Sequence, residues 1–287
     1  MRDVTEANLT EAVLAKLAGA TNPRLQQVMT SLLRHLHACV REVGLTEAEW
    51  FAGIQFLTAV GQKCDAKRQE FILLSDTLGV SMLVDALNHR APTGATESTV
   101  LGPFYVPGAP ELPNGTNLAV GLPGEPTLFS GRVFTVEGKP IPGAQIDTWQ
   151  ADTERFYDVQ RPHLNGMRLR GKFRTEAQGR FWFWTVKPTA YPIPTDGPVG
   201  QLLLNMGRHP YRPAHIHTIV SAPGFEPVTT HVFVEGDRYL DSDAVFGVKD
   251  SLVVDFVRHE PGIAPDGTKL DRPYYTVQYD FGLQAAR

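Results

Sequence analysis

Cysteine is almost missing from this chain. Only Cys39 and Cys64 occur among 287 residues, too few for a disulfide framework or a thiolate metal cage. Both fall in helical patterns, where Cys39 reads as a small hydrophobe rather than a disulfide partner. No run of 18 apolar residues exists, so no membrane span is expected. Basic residues are not in excess: the formal net charge is −4, which argues against a general nucleic-acid binder. Internal repeats and low-complexity runs are lacking too. The opening Met1-Arg2-Asp3-Val4-Thr5-Glu6 has none of the basic-then-apolar pattern of a signal peptide, and a cytoplasmic location is expected. What the chain does have is 42% hydrophobic residues, enough for one large core or two modest ones.

Three stretches differ in character. Residues 1–90 read as helical. From Arg24 on, Leu25, Val28, Met29, Leu32, Leu33, Leu36, Cys39 and Val40 recur at three and four. Thr46-Glu47-Ala48-Glu49 is a capping box, opening a second amphipathic segment that runs through Ala59. A third runs from about Ala66 to Asn88, with Gly79 as a bend or break. Three or four such helices cannot bury their apolar faces alone, so they need the rest of the chain or a partner subunit. Residues 91–125 carry six prolines and read as an ordered connector anchored by Val100, Leu101, Phe104, Tyr105 and Val106. Residues 126–287 read as a β-sandwich of short strands separated by turns. Among them, Lys172–Thr175 and Arg180–Val186 flank Glu176-Ala177-Gln178-Gly179 as a hairpin would. The run Phe181-Trp182-Phe183-Trp184 is expected mostly in the core. The fold class is therefore mainly β with a helical N-terminal region.

The most informative strand is Arg212-Pro213-Ala214-His215-Ile216-His217-Thr218-Ile219-Val220. Its β-branched residues favour a strand, and Pro213 sits near the start, where a missing N–H is tolerated. Side chains two apart share a face, so His215 and His217 project together, roughly 6.6 Å apart along the strand. That allows two imidazoles to reach one metal ion. A His-x-His pair by itself is more often without a metal, but two tyrosines strengthen the case. Tyr157 follows Trp149-Gln150-Ala151-Asp152-Thr153-Glu154-Arg155-Phe156, and Tyr191 stands in the stiff Lys187–Pro198 loop. Each tyrosine alone is more often an ordinary residue, Tyr157 a sheet-edge aromatic and Tyr191 a packed turn residue beside Pro192. His209, His231 and His259 read equally as satisfied histidines. If Tyr157, Tyr191, His215 and His217 converge, imidazole suits zinc, copper, iron or nickel. Phenolate narrows the choice, because a hard trivalent ion best lowers a tyrosine pKa from about 10. Two phenolates and a hydroxide would neutralise Fe³⁺, so Fe(III) fits best; structural zinc sites rarely use tyrosine.

These motifs, with Leu101-Gly102-Pro103-Phe104-Tyr105 and Tyr191-Pro192-Ile193-Pro194-Thr195-Asp196-Gly197-Pro198, resemble the intradiol ring-cleavage dioxygenases over nearly the whole chain. Within them the similarity is greatest to the hydroxyquinol 1,2-dioxygenase branch. The resemblance implies a non-haem Fe(III) held by Tyr157, Tyr191, His215 and His217. It further implies a catechol-type substrate that displaces Tyr191, and insertion of both atoms of O2 between two hydroxyl-bearing carbons. The product is a cis,cis-muconate-type diacid, or maleylacetate when the ring carries a third hydroxyl. Arg212 matches the family's active-site arginine, a fixed cation for carbanion-like charge. His231 is expected behind the ligands, where some relatives carry Gln. Substrate walls would come from Leu73, Asp76 and Leu78, from Val100, Leu101, Gly102, Pro103 and Phe104, and from Ile193 and Pro194. Asp76 is the notable one, since a carboxylate in an apolar pocket needs a polar partner, and a third substrate hydroxyl would serve. The resemblance also implies a homodimer through the helices of residues 1–90, with a phospholipid in an amphipathic tunnel there, and a connector, 91–125, that lines the site.

Other readings stay open at this stage. A catechol or chlorocatechol 1,2-dioxygenase would keep the same four ligands. A sandwich-type binding module that has lost its metal would keep only the fold. A lipid-binding interaction protein would rest on the helical region alone.

Overall fold

The computed structural model of the protein describes residues 3–65, 68–161 and 166–286. Ala66, the expected start of the third helical segment, lies outside them. The chain divides into two compact units, Met1–Ala59 and Val60–Arg287.

The first unit holds α1 (Leu9–Ala15), α2 (Pro23–Val43) and most of α3 (Glu47–Lys63). Local chemistry sets the helix ends. The Asn22 side chain accepts from the Leu25 N–H, Pro23 opens α2, and Gly44 closes it with φ +59°, the left-handed turn that suits glycine. Thr46 and Glu49 form the expected reciprocal cap of α3: the Thr46 N–H donates to Glu49 Oε2 at 2.9 Å, and the Glu49 N–H to Thr46 Oγ1 at 3.3 Å. No residue of α2 is buried. Leu25, Val28, Leu32, Leu36 and Val40 form an exposed stripe along it, and Trp50, Phe51, Ile54 and Leu57 are exposed on α3. Cys39 is exposed and free rather than packed.

The second unit begins with the end of α3 and two short helices, α4 (Glu70–Thr77) and α5 (Val80–Asn88). Gly79, at φ +74°, breaks the expected long helix between them. A further helix, α6 (Pro198–Asn205), has no counterpart in the periodicity reading. Its first turn is held from far away: the Val199 N–H donates to Glu70 Oε1 at 3.3 Å, 129 residues distant in sequence.

Among the described residues, fourteen strands follow in chain order. They are β1 (Pro126–Thr135), β2 (Gln145–Trp149), β3 (Arg170–Arg174), β4 (Arg180–Val186), β5 (Tyr191–Pro192), β6 (Tyr211–Arg212) and β7 (His215–Ser221). Then come β8 (Val228–Val234), β9 (Val253–Val254), β10 (Val257–His259), β11 (Gly262–Ile263), β12 (Lys269–Leu270), β13 (Tyr274–Gln278) and β14 (Phe281–Leu283). One sheet runs β3-β2-β7-β8-β9. The other runs β10-β13-β1-β14, with β4 also paired to β1. The two pack face to face. Ile146, Phe173, Ile216, Val220 and Val232 come from the first, and Phe129, Val133, Phe181, Phe183 and Phe281 from the second. This is the sandwich expected from the strand pattern.

Two local expectations are corrected. The Glu176–Gly179 turn forms, with the Glu176 N–H donating to the Arg180 carbonyl at 2.8 Å, but β3 and β4 are not a hairpin. They enter opposite sheets, β3 beside β2 and β4 beside β1 over Pro126↔Val186 to Arg132↔Arg180. Tyr275–Phe281, which the β-rich residue pattern by itself reads as one strand, belongs to two, β13 and β14, both parallel to β1. The break falls where the Tyr279 carbonyl approaches Gly131 so closely that a Cβ there would lie 1.9 Å from it. The connector is tied down as expected: the N–H groups of Thr99, Leu112 and Leu118 donate to the carbonyls of Thr229, Lys172 and Trp184.

Candidate metal centre

The β3-β2-β7-β8 sheet has one face in the sandwich core, and alternation along β7 assigns each side chain. Ile216 and Val220 enter the core, while His215 and His217 project from the other face. Cross-strand register then builds a row. Arg170 pairs with Trp149, Trp149 with His217, and His217 with His231, so four large side chains share one line across four strands. The Trp149 ring stacks on His217, centroids 4.6 Å apart and planes 12° apart. Although it lies outside the hydrophobic core, this face is fully covered: Trp149, Arg170, His215, His217 and His231 are all buried.

Tyr157 and Tyr191 close over the row. Tyr157 follows the loop after β2 and is anchored by its N–H to Gln160 Oε1 at 2.9 Å. Phe104 stacks on its ring at 4.6 Å. Tyr191 is set by the two-residue β5–β6 pairing, directly opposite Arg212. The result is a tight group of donor atoms. Tyr157 Oη lies 3.0 Å from Tyr191 Oη and 2.8 Å from His217 Nε2, and His215 Nε2 lies 3.1 Å from His217 Nε2. Ligands about 2.0–2.1 Å from one metal ion are separated from each other by roughly this much, so the donor set fits a single ion bound by two phenols and two imidazoles.

Hydrogen bonds settle which ring nitrogens are free. His215 Nδ1 lies 2.7 Å from the Pro213 carbonyl. A carbonyl only accepts, so Nδ1 carries the hydrogen and Nε2 keeps its lone pair. His217 Nδ1 meets His231 Nε2 at 2.7 Å, and with hydrogen on His217 Nδ1 its Nε2 is free as well. His215, His217 and His231 form a cluster of metal-capable atoms. His231, however, bonds the far nitrogen of His217 and so stands behind it rather than beside the other donors. His231 Nδ1 is buried with no partner among the described residues.

Electrostatics favour neutral imidazoles. Burial, followed by the Arg212 charge, brings His215 down to about 3. Burial likewise holds His217 and His231 well below the ordinary histidine value, with neighbouring histidines adding to it. Burial raises both tyrosines; Tyr191 opposes it with the nearby Arg212 charge. A phenolate here therefore calls for a strongly charged ion. Two buried ion pairs flank the group. Arg212 holds Asp243 at 3.0 Å, and Arg170 holds Asp158, the residue after Tyr157, at 2.6 Å. Neither pairing was legible in the sequence, because Asp243, in an irregular loop, and Asp158, at the start of a short 3-10 helix, lie 31 and 12 residues from their partners.

The other expected site residues spread over a wider area. Leu73, Pro103, Phe104 and Pro194 line a cavity of about 150 Å³ together with Arg68, Gln69, Glu70, Val159 and Gln160. Phe104 joins this cavity to Tyr157. Val100 and Ile193 are buried, Leu101 is exposed, and Leu78 is 53% exposed at the C-cap of α4. Gly102, at φ +75°, approaches His217 so closely that a Cβ would sit 3.2 Å from its Cε1. Asp76 is buried. Burial pushes its carboxyl up, against a hydrogen bond from Ser81 and the Arg212 charge. His209 and His259 are satisfied away from the site, by Ser242 and Thr276.

A sandwich whose outer sheet face carries two histidines, with two tyrosines from neighbouring segments closing over them, defines a class, the intradiol ring-cleavage dioxygenases. The chain belongs to that family and is an aromatic ring-cleaving dioxygenase. The family model described as Dioxygenase matches residues 100–285, and that described as Catechol dioxygenase N terminus matches 22–96. The chain is 54% identical to a 6-chlorohydroxyquinol 1,2-dioxygenase of Cupriavidus pinatubonensis, over 99% of each chain. It is 38% identical to a catechol 1,2-dioxygenase of Candida albicans, over 96% of this chain and 91% of that one. Among solved structures, hydroxyquinol 1,2-dioxygenase from Pseudomonas putida superposes with a TM-score of 0.92 at 50% identity, covering 98% of this chain and 99% of that one.

Proposed function

We propose that the chain cleaves hydroxyquinol (benzene-1,2,4-triol) between its adjacent hydroxyls with O2, placing both oxygen atoms in maleylacetate. The observation that carries the ring-cleaving chemistry is the chain of close contacts joining Tyr191, Tyr157, His217 and His215, and hydroxyquinol as the substrate is supported by the similarity to hydroxyquinol dioxygenases. These four would hold Fe(III), which when bound supplies a hard Lewis acid that draws electron density from a chelated diol. The remaining work belongs to the protein. His215 and His217 stay neutral donors with Nε2 free. Tyr191 Oη, beside Arg212, takes a hydroxyl proton from the incoming diol. Arg212 is a fixed, water-excluded cation for negative charge on the attacked carbon. His231 holds the tautomer and orientation of His217. Asp76 meets the third hydroxyl, and Leu73, Leu78, Val100, Leu101, Gly102, Pro103, Phe104, Ile193 and Pro194 shape the ring pocket.

The same reading assigns residues 126–287 the catalytic sandwich, 91–125 the connector against the site, and 1–90 the association domain. The exposed stripes of α2 and α3 support a homodimer with a phospholipid in its interface. No helix among the described residues is long and apolar enough to cross a membrane; a cytoplasmic enzyme of aromatic degradation fits the composition.

Oxygen uptake by the purified protein with hydroxyquinol, catechol and 4-chlorocatechol, corrected for autoxidation, tests the substrate. Preference for hydroxyquinol is expected. Preference for the catechols, with muconates as products, would keep the ligand set and discard the pocket assignment. A colourless protein without iron or turnover would reduce the fold to a binding module.

A further inference from the structure

Arg212 owes its direction to one carboxylate. Both Arg212 and Asp243 are buried. The guanidinium presents one edge to the acid: Nε donates to Asp243 Oδ1 at 3.0 Å and Nη2 to Oδ2 at 3.1 Å. A planar fork held at two points cannot turn about its axis. The remaining nitrogen, Nη1, is thereby left on the side of the metal donors, 3.4 Å from His215 Nε2. The acid is itself immobilised. Its oxygens also accept from the N–H groups of Val245 at 3.3 Å and Gly247 at 2.9 Å. The loop that carries it is tied on two further sides. Thr99 Oγ1 donates to the Gly247 carbonyl at 3.0 Å, and Arg208 Nη2 to the Ala244 carbonyl at 2.9 Å. Gly247 leaves the space the pair needs. A Cβ there would stand 2.8 Å from Arg212 Nη2 and 3.2 Å from Asp243 Oδ2.

We propose that Asp243 is the positioning residue of the reaction, fixing the Arg212 guanidinium so that Nη1 faces the reacting ring, with Gly247 as the spacer that keeps the pair in line. This deepens the function proposed above and rests on it, since it presumes that Arg212 stabilises charge on the substrate. An ordinary buried ion pair would stabilise the fold without steering turnover, and the two roles separate in a double-mutant cycle on the iron-loaded enzyme.

The cycle uses Asp243→Asn, Arg212→Gln and the double variant. Turnover of hydroxyquinol, KM, iron content and the visible band of the ferric centre are followed together. Misplacing a catalytic group by about 1 Å costs on the order of a hundredfold, so Asp243→Asn is expected to lower kcat by about that factor. KM, iron content and the visible band should stay near wild type. In the Arg212→Gln background the Asp243→Asn change should add little. If the two losses multiply, Asp243 does not act through Arg212 and the proposal fails. If Arg212→Gln alone leaves kcat unchanged, the role given to Arg212 fails and the proposal falls with it. Should Asp243→Asn not fold, Gly247→Ala carries the same cycle. It keeps both charges and wedges them apart, with a kcat loss of about tenfold expected that vanishes in the Arg212→Gln background; a loss that persists there overturns the proposal.

Discussion

The two units of this chain break the usual rule of burial in opposite directions. On the outer face of the β3-β2-β7-β8 sheet, Arg170, His217 and His231 are buried, as are Asp243 and Arg212 nearby, although charged and titratable groups are disfavoured there. In the helical unit, Leu25, Leu32, Leu36, Trp50 and Phe51 are exposed, although apolar groups gain from being covered. Each departure has a cost that the fold alone does not require. In the sheet that cost is offset in part, by the Arg212–Asp243 and Arg170–Asp158 ion pairs and by the hydrogen bonds among the rings. On the helices nothing within the unit offsets it. Polar groups inside are the feature that the proposed chemistry uses, and the apolar stripe outside is the one that the proposed association would cover.

The sheet side of the comparison breaks most sharply at the four proposed metal donors. His217→Ala, or Tyr157→Phe, is expected to take iron content and hydroxyquinol turnover to background and to abolish or bleach the visible band. His231→Ala leaves all four donors and removes only the group behind His217, so a loss of about 10–100-fold in metal affinity or turnover is expected. His231→Gln, which can still accept from His217 Nδ1, should recover much of it. Iron analysis and steady-state kinetics on the four variants check the order. A His231→Ala enzyme as dead as His217→Ala would make His231 a ligand rather than a support.

The helix side breaks by charging the stripe. Leu32→Glu with Leu36→Glu places two carboxylates where a second subunit is proposed to cover α2. Burying an unpaired charge costs on the order of 3 kcal/mol or more, a hundredfold or more in a dissociation constant. Sedimentation velocity is expected to show the dimer replaced by monomer at micromolar concentration. Turnover per iron should stay unchanged, because every proposed site residue belongs to the second unit of one chain. A variant that remains dimeric would mean that this stripe is covered by something else.

The regular parts of both units are legible in the sequence because they obey short periods. The caps at Asn22, Gly44 and Thr46 lie within a few residues of what they cap, and period-two alternation alone separates His215 and His217 from Ile216. What escaped the periodicities depends on distant partners. The α6 helix draws its N-terminal support from Glu70, and Asp243 reaches Arg212 from an irregular loop. The turn at Glu176–Gly179 was readable as a turn, but turn chemistry does not encode which sheet the next strand joins; the β1 pairing of Phe181 and Phe183 decides that. Tyr157 reaches the centre from the segment after β2 and Tyr191 from the two-residue β5, so their residue type made them candidates while no spacing of their own separated them from packing residues, and the resemblance made them ligands.

Asp76 sharpens the comparison at its smallest scale, one carboxyl group in a largely apolar surrounding. Burial raises its folded pKa, and the Ser81 hydrogen bond and Arg212 charge offset this only in part. Below the unfolded value of about 3.9, Asp76 is protonated in both states and carries no penalty. As pH rises, the unfolded chain ionises first, so the Asp76 contribution to stability is lost as pH climbs to the raised folded value, and stays lost above it. Asp76→Asn is free of that term. Its melting temperature should therefore gain on the wild type as pH rises from about 4 through the raised folded value and then level off. The same substitution should lower turnover of hydroxyquinol more than of catechol, because only the triol carries the hydroxyl that Asp76 is proposed to meet. A pH-independent difference in melting temperature would mean that the carboxyl is well solvated or paired in the folded enzyme. Equal losses on both substrates would leave Asp76 a structural group of α4.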